Sequence, residues 1–164
     1  MHGTYYPSVG DRNASYIVDK SIAILGGFQS GMTSASQRTG NDETKLSGNI
    51  GIKATNSDNS YHVIETSGTG IILDRITLRD GMADGLTDNN DSGSCLYNIG
   101  TIILKNCKMD NGAATVRGTL MYNAGNIFIN GGVFYIPTGG TISNIYNSNG
   151  ASITISQNVS ILKN

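Results

Sequence analysis

The residues of this chain best suited to chemistry cluster in one polar stretch: Arg79, Asp80, Asp84, Asp88 and Asp91. Carboxylates that project together from one face can act as general acid and base in polysaccharide cleavage, and Asp80 and Asp84 are the candidate catalytic pair. The plainer reading is a solvated turn, because the stretch is rich in Gly and Asn. Neither His2 nor His62 lies beside these acids in sequence, and His62, next to Tyr61 in a β-type run, reads as a face residue rather than a base. The same stretch holds Asp88-Asn89-Asn90-Asp91-Ser92-Gly93, with oxygens at alternate positions before a turn glycine. That is the first half of a looped calcium site, with Asp88, Asn90 and Asp91 as ligands. The acid expected at the twelfth position is missing, since Ile99 stands there. Calcium is the only cofactor the residues bring into question.

A second kind of chemistry comes from a phrase that returns three times: Leu96-Tyr97-Asn98, Met121-Tyr122-Asn123 and Ile145-Tyr146-Asn147. The tyrosines lie 25 and then 24 residues apart. Flat rings with hydroxyl tips suit sugar faces, so Tyr97, Tyr122 and Tyr146 are candidate ligand-binding residues. The competing reading is that stacked tyrosines support one another across strands. Asn98, Asn123 and Asn147 share one turn position, where an amide can donate to the layer above and accept from the layer below. In such a structural ladder the middle member, Asn123, is expected to be the costliest to lose.

These side chains must be positioned by short stacked strands. After each phrase a glycine leads into an apolar run: Gly100 before Thr101-Ile102-Ile103-Leu104, Gly125 before Asn126-Ile127-Phe128-Ile129, and Gly150 before Ala151-Ser152-Ile153-Thr154-Ile155. Self-similarity at this period is the signature of a solenoid. Setting Leu73 on Leu104 also pairs Ile76 with Cys107 and Leu78 with Met109, and Ile129 and Phe134 continue two of these columns. Each coil is expected to hold about three strands of four or five residues. Alternation then sends Leu96, Met121 and Ile145 inward and the tyrosines outward.

Composition agrees. The 164 residues include 22 Gly and 18 Asn, no Trp, and only 14% charged residues, against about a quarter in ordinary domains. Tight turns follow, and no helix of ordinary length is visible. The net charge of −1, with no basic cluster, argues against nucleic acid. No apolar run approaches the roughly 20 residues of a transmembrane helix. The opening residues lack the basic start and apolar core of a signal peptide. No regular Thr-x-Thr rows occur, which argues against ice binding. Cys95 and Cys107 are half a coil apart and should face across it, so two buried free thiols are expected rather than a disulfide.

Taken in order, Tyr16-Ile17-Val18 and Ile22-Ala23-Ile24-Leu25 form two β-type runs, and residues 29–45 a long polar loop. Leu46-Ser47-Gly48-Asn49-Ile50 and Gly51-Ile52-Lys53-Ala54 read as short strands. One domain over 1–164 is expected. Residues 4–60 form its irregular N-terminal coils or cap, 61–164 its regular coils, and 80–94 a loop inserted into one coil. An exposed coil end can pair with another copy or with flanking sequence.

With these residues in view, the chain resembles the right-handed parallel β-helix proteins of the pectin-lyase-like superfamily. Within it the likeness is to secreted or surface repeat proteins of the Bacteroidetes type, and more distantly to chlamydial polymorphic outer-membrane proteins. The carrying stretches are Gly3-Thr4-Tyr5-Tyr6-Pro7, Ala23-Ile24-Leu25-Gly26-Gly27-Phe28, Thr44-Lys45-Leu46-Ser47-Gly48-Asn49-Ile50 and Asp58-Asn59-Ser60-Tyr61-His62-Val63-Ile64. Ser94-Cys95-Leu96-Tyr97-Asn98 and Lys105-Asn106-Cys107-Lys108-Met109 are similar to that family's "GGGIYN" and "NCTF" phrases, although Ser94-Cys95 stands where two glycines are usual. The resemblance implies an all-β, right-handed, single-stranded parallel β-helix of about five coils of roughly 24 residues. It also implies a secreted or bacterial cell-surface location and a non-enzymatic structural, adhesive or glycan-contacting role toward a glycan or host surface. The alternative is a fragment of a carbohydrate-active enzyme, a polysaccharide lyase or glycoside hydrolase, working through the 80–94 loop.

Overall fold

The computed structural model describes residues 2–39, 43–87, 89–138, 142–156 and 158–163. Sixteen strands are described: β1 (Gly3–Tyr5), β2 (Tyr16–Val18), β3 (Ala23–Leu25), β4 (Thr44–Ser47), β5 (Ile64–Thr66), β6 (Ile71–Asp74), β7 (Ile76–Arg79), β8 (Met82–Ala83), β9 (Leu96–Asn98), β10 (Thr101–Asp110), β11 (Ala113–Ala114), β12 (Met121–Asn123), β13 (Asn126–Ile136), β14 (Ile145–Asn147), β15 (Ser152–Ile155) and β16 (Val159–Lys163). A single 3-10 turn, Ala35–Gln37, is the one helical element among the described residues. No helix among them is long and apolar enough to cross a membrane.

The protein is all-β, and its strand pairs are parallel. One sheet runs β2-β5-β9-β12-β14, a second runs β1-β4-β7-β10-β13 and on to β15 and β16, with β6 beside β10 and β3 beside β6, and β8 pairs β11. This arrangement is consistent with a β-solenoid. Register is what ties it to the sequence. Leu73, Leu104, Ile129 and Ile155 stack in one column. Leu78, Met109, Phe134 and Ile161 form another, and Ile64, Leu96, Met121 and Ile145 a third. Parallel strands lie about 4.8 Å apart, so like residues touch directly along each column. Leu73, Leu104, Leu78, Met109, Phe134, Ile64, Leu96 and Met121 are fully buried, and burying each such side chain contributes about 1.5–3 kcal/mol.

Strand lengths depart from the expected four or five residues. β10 has 10 and β13 has 11, while β8 and β11 have 2 each. The long strands absorb a corner rather than stopping at it. Arg75 (φ 57), Asn106 (φ 50) and Gly131 (φ 75) take left-handed backbone at that corner, and Asp80 (φ 62) and Asn111 (φ 51) do so at the next. Left-handed Asn is common; left-handed Arg is not, and it costs about 1 kcal/mol or more. Periodicity could not show this, because the corner interrupts neither apolar column.

Three segment assignments need correction. Thr44 and Lys45 belong to β4, so the loop expected at 29–45 ends before them, and residues 40–42 of it lie outside the described residues. Gly51-Ile52-Lys53-Ala54 is a turn, not a strand, because the Asp58 carboxylate accepts from the Ile52 N–H at 2.7 Å and folds the backbone back. The 80–94 segment is not wholly loop: it contains β8, and Ser92 bridges Arg117 in parallel.

Gly132, next in β13, has φ 132, and a Cβ there would overlap the Cys107 carbonyl oxygen; Gly10 has open space around it. Gly132→Ala is therefore expected to lower stability by about 2 kcal/mol or more, whereas Gly10→Ala stays within about 0.5 kcal/mol. Chemical denaturation of both variants checks this.

Candidate functional site

β9, β12 and β14 bring Tyr97, Tyr122 and Tyr146 into register. Ring centroids of Tyr97 and Tyr122 are 4.8 Å apart at 5°, and those of Tyr122 and Tyr146 are 5.4 Å apart at 14°. The His62 ring tilts against Tyr97 at 5.1 Å. The column therefore spends its ring faces largely on itself. The Arg117 guanidinium lies 5.4 Å from the Tyr122 centroid and 5.2 Å from that of Tyr146, a cation–π position. Burial, aided by Tyr122, pushes the Tyr97 phenol up to about 12 even though Arg117 opposes the shift.

His62 is buried, not a face residue. Its Nδ1–H donates to the Gly93 carbonyl at 3.1 Å, since a carbonyl can only accept. Burial lowers its pKa from 6.5, against the opposing pull of the Gly93 carbonyl, Glu65, Asn90 and Asp91.

The asparagines form a continuous amide ladder. Thr66 Oγ1 donates to Asn98 Oδ1, Asn98 Nδ2 to Asn123 Oδ1, and Asn123 Nδ2 to Asn147 Oδ1, each at 2.6 Å. Asn98 and Asn123 also accept from the N–H groups of Gly100 and Gly125 and donate to their carbonyls, each at 3.1 Å. Thr66 extends the ladder one layer further than the repeated phrase does, and Asn123 Nδ2 also donates to the Ser152 carbonyl at 2.9 Å. Asn98 and Asn123 are fully buried, while Asn147 is exposed.

Among the described residues, the acids of the 80–94 stretch do not form one site. Asp84 pairs with Arg12, which also donates to the carbonyls of Asn59 and Met82 and lies 4.2 Å from the Tyr61 ring centroid. Asp80 accepts from Ser47 Oγ at 2.7 Å and Asn111 Nδ2 at 2.6 Å, and contacts Arg79 Nε at 3.1 Å. Asp91 accepts from Ser92 Oγ at 2.7 Å. Asp88 lies outside the described residues. No group of three or more His, Cys, Asp or Glu among the described residues suits a metal ion. Of the other two candidate calcium ligands, Asp91 accepts from Ser92 and Asn90 interacts with His62, and no chemistry is routed through them. Cys95 and Cys107 are free and buried, and burial pushes both thiols up to about 12.

A cleft of about 470 Å³ lined by Arg79, Lys108, Asp110, Asn111 and Tyr135 was not anticipated. Lys108 Nζ contacts Asp110 Oδ2 at 3.1 Å and Glu43 Oε1 at 3.7 Å, and lies 5.2 Å from the Tyr135 ring centroid. Glu43 accepts from Thr77 at 2.8 Å and pairs with Lys45 at 2.9 Å. Burial opposes charge on Lys108, but Asp110 and Glu43 outweigh it and raise its pKa. Burial likewise acts against Glu43, and Lys45, Thr77 and Lys108 together lower its pKa. Arg79 Nε approaches the buried Asp110 Oδ1 at 3.1 Å, yet neither atom gains an aligned hydrogen bond. The contact is ionic and off-axis. The lining itself holds two cations, Arg79 and Lys108, and one carboxylate, Asp110, with Lys45, Glu43 and Asp80 paired just outside it, so the cleft is dense in donors and acceptors. Alternation along β10 puts Lys108 and Asp110 on one face beside Thr77 and Arg79 of β7. That signal was in the alignment of the apolar columns, which drew attention to the opposite face. A larger hollow of about 620 Å³ lies between Thr4–Val9 and Asn49, Ile50, Gly51 and Lys53, with no carboxylate in its lining.

Comparison of the chain with family models, curated proteins and solved structures returned no match.

Asn98→Leu and Asn123→Leu should each cost about 2–4 kcal/mol by orphaning buried neighbours, and Asn147→Leu about 1 kcal/mol or less. Melting temperatures ranked in any other order would contradict the ladder. A lowered folded-state pKa at His62 means its stabilising contribution is present above about pH 6.5 and is lost as pH falls through the folded-state value. Between about pH 7 and pH 5 the wild-type melting temperature should therefore fall more steeply than that of His62→Gln.

Proposed function

We propose that the chain is a right-handed, single-stranded parallel β-helix that serves, without catalysing a reaction, as a structural or adhesive module outside the cell or on a bacterial surface. It contacts glycan through the Arg79–Lys108–Asp110–Asn111–Tyr135 cleft. Right-handed winding is supported by the parallel pairing, because crossovers between parallel strands of one sheet are right-handed in nearly all proteins. Secretion or surface display rests on the resemblance in repeat phrases. The observation that carries glycan contact is the cleft's lining: donors and acceptors paired beside a ring. Sugar hydroxyls both donate and accept, so planar Arg, Asp and Asn groups read them well, and a tyrosine supplies an apolar wall. Tyr97 and Tyr122 fit the role less well because their faces are already covered.

The second reading, a carbohydrate-active enzyme fragment, draws support from one contact: Asp80 and Asp110 both approach Arg79 Nε at 3.1 Å. Two carboxylates around one cation resemble an acid–base pair. Against it, Asp84 is held by Arg12, and Asp80 is held by Ser47 and Asn111.

A panel of immobilised neutral and acidic oligosaccharides tests both. Binding to neutral glycans is expected, weakened about tenfold or more by Tyr135→Ala and by Asp110→Asn, consistent with losing one well-placed contact of about 1.4 kcal/mol or more. Tyr122→Ala should leave it within about twofold. Silence across the panel removes the glycan reading. Release of reducing ends that disappears in Asp80→Asn would establish the enzyme instead.

A further inference from the structure

Seven buried side-chain nitrogen and oxygen atoms among the described residues make no hydrogen bond, and four of them fall within residues 49–60: Asn49 Oδ1, Asp58 Oδ1, Asn59 Oδ1 and Ser60 Oγ. All four are oxygens, and all but the Ser60 hydroxyl can only accept. Asn59 and Ser60 are 2% and 0% exposed. Buried polar atoms are normally paired, so acceptors gathered in this way call for an occupant that brings positive charge.

The local backbone is built around these side chains. The Gly48 carbonyl accepts from the N–H groups of Ile50 and Ser60, at 2.8 and 2.9 Å, which sets the turn after β4 beside residues 58–60. Gly51, at φ 67, lets the Asp58 carboxylate lie against its backbone, since a Cβ there would sit 2.7 Å from Asp58 Oδ2. That oxygen accepts from the Ile52 N–H at 2.7 Å, and Oδ1 is left over. Asn49 Nδ2 donates to the Lys53 carbonyl at 3.2 Å, and Asn59 Nδ2 to the Asp80 carbonyl at 2.8 Å. Both amides are thus anchored by nitrogen, which fixes the end that carries the oxygen. Arg12 donates to the Asn59 carbonyl, but its charge is paired with Asp84.

We propose that the turn over residues 49–60 binds a calcium ion through Asp58 Oδ1, Asn49 Oδ1, Asn59 Oδ1 and Ser60 Oγ. Carboxylate, amide and hydroxyl oxygens on one turn are the hard donor set that calcium takes, with main-chain carbonyls and water completing its shell. Magnesium keeps its waters and demands a near-ideal octahedron, so a buried set of mostly neutral oxygens suits it poorly. The set has no sulfur or imidazole, which argues against zinc and copper. Its single acid sets it apart from a cluster of His, Cys, Asp or Glu, and implies weak binding, in the range of about 0.1–1 mM found for extracellular calcium modules. None of the four residues lines the Arg79–Lys108–Asp110 cleft.

Thermal unfolding of the full chain in calcium, magnesium and sodium chloride at matched ionic strength tests the proposal. Calcium at about ten times its Kd should raise the melting temperature by about 3 °C or more, and the other salts should not. Terbium, a probe ion of calcium-like size, should luminesce on excitation of tyrosine, because Tyr5 and Tyr6 line the hollow shared with Asn49 and Gly51. Calcium should displace it. Asp58→Asn, whose amide oxygen can still accept from the Ile52 N–H, should lose both responses. Asn49→Ala should weaken calcium binding about tenfold or more, and Asp91→Asn, in the other candidate calcium stretch, should change nothing. Overturning results are no rise beyond that in sodium chloride, an equal rise in magnesium, a response that survives Asp58→Asn, or one lost in Asp91→Asn. If Asp58→Asn fails to fold, Asn49→Ala decides. Failure of this proposal would leave the glycan reading untouched.

Discussion

Parallel pairing in register is the constraint on which everything else in this protein rests. When the residue above is the structural equivalent of the residue below, one good choice of side chain is repeated down a column. Leucine meets leucine at Leu73 and Leu104, tyrosine meets tyrosine at Tyr97 and Tyr122, and an amide meets an amide at Asn98 and Asn123. The pairing does not need a large central core, because each layer is stabilised by its neighbours. It also removes the usual penalty of polar turns. Amides that would be orphaned in an isolated turn are satisfied by the turns on either side.

Much of this was legible in the sequence because the repeated phrase and the register are the same fact. The placement of Leu73 on Leu104 and of Leu78 on Met109 matches the observed pairing. Corners were less legible. Arg75 and Asp80 adopt left-handed backbone that their identities do not announce, and only Asn106, Asn111 and Gly131 among their neighbours do. Burial of His62 was hidden as well. A histidine beside a tyrosine looks like a surface residue, and it is the Gly93 turn and the Tyr97 ring that make it internal.

The chemistry was the least legible part, for a physical reason. Residue types on an acidic stretch say what groups are present, not which are already engaged. Asp84 and Asp80 turn out to be occupied by Arg12, Ser47 and Asn111, and the tyrosine faces by each other. Arg79 Nε and Asp110 Oδ1, buried atoms without an aligned hydrogen bond, come from strands read at first only for their apolar side. In a stack of strands, the inward face advertises itself through hydrophobic repetition, while the outward face repeats only where side chains stack on one another, as in the tyrosine column.

The amide ladder also records how the chain manages unequal repeat lengths. Its rungs are separated by 32, 25 and 24 residues, yet each hydrogen bond is 2.6 Å long. The extra length of the first interval lies between β8, which is in register with β11, and Asn98, and it leaves the ladder's hydrogen bonds unchanged. Contour length at that corner is therefore decoupled from pitch. Segments can be grafted or lost there over evolution while the scaffold keeps its dimensions, so the periphery of this protein is free to diversify where its interior is not.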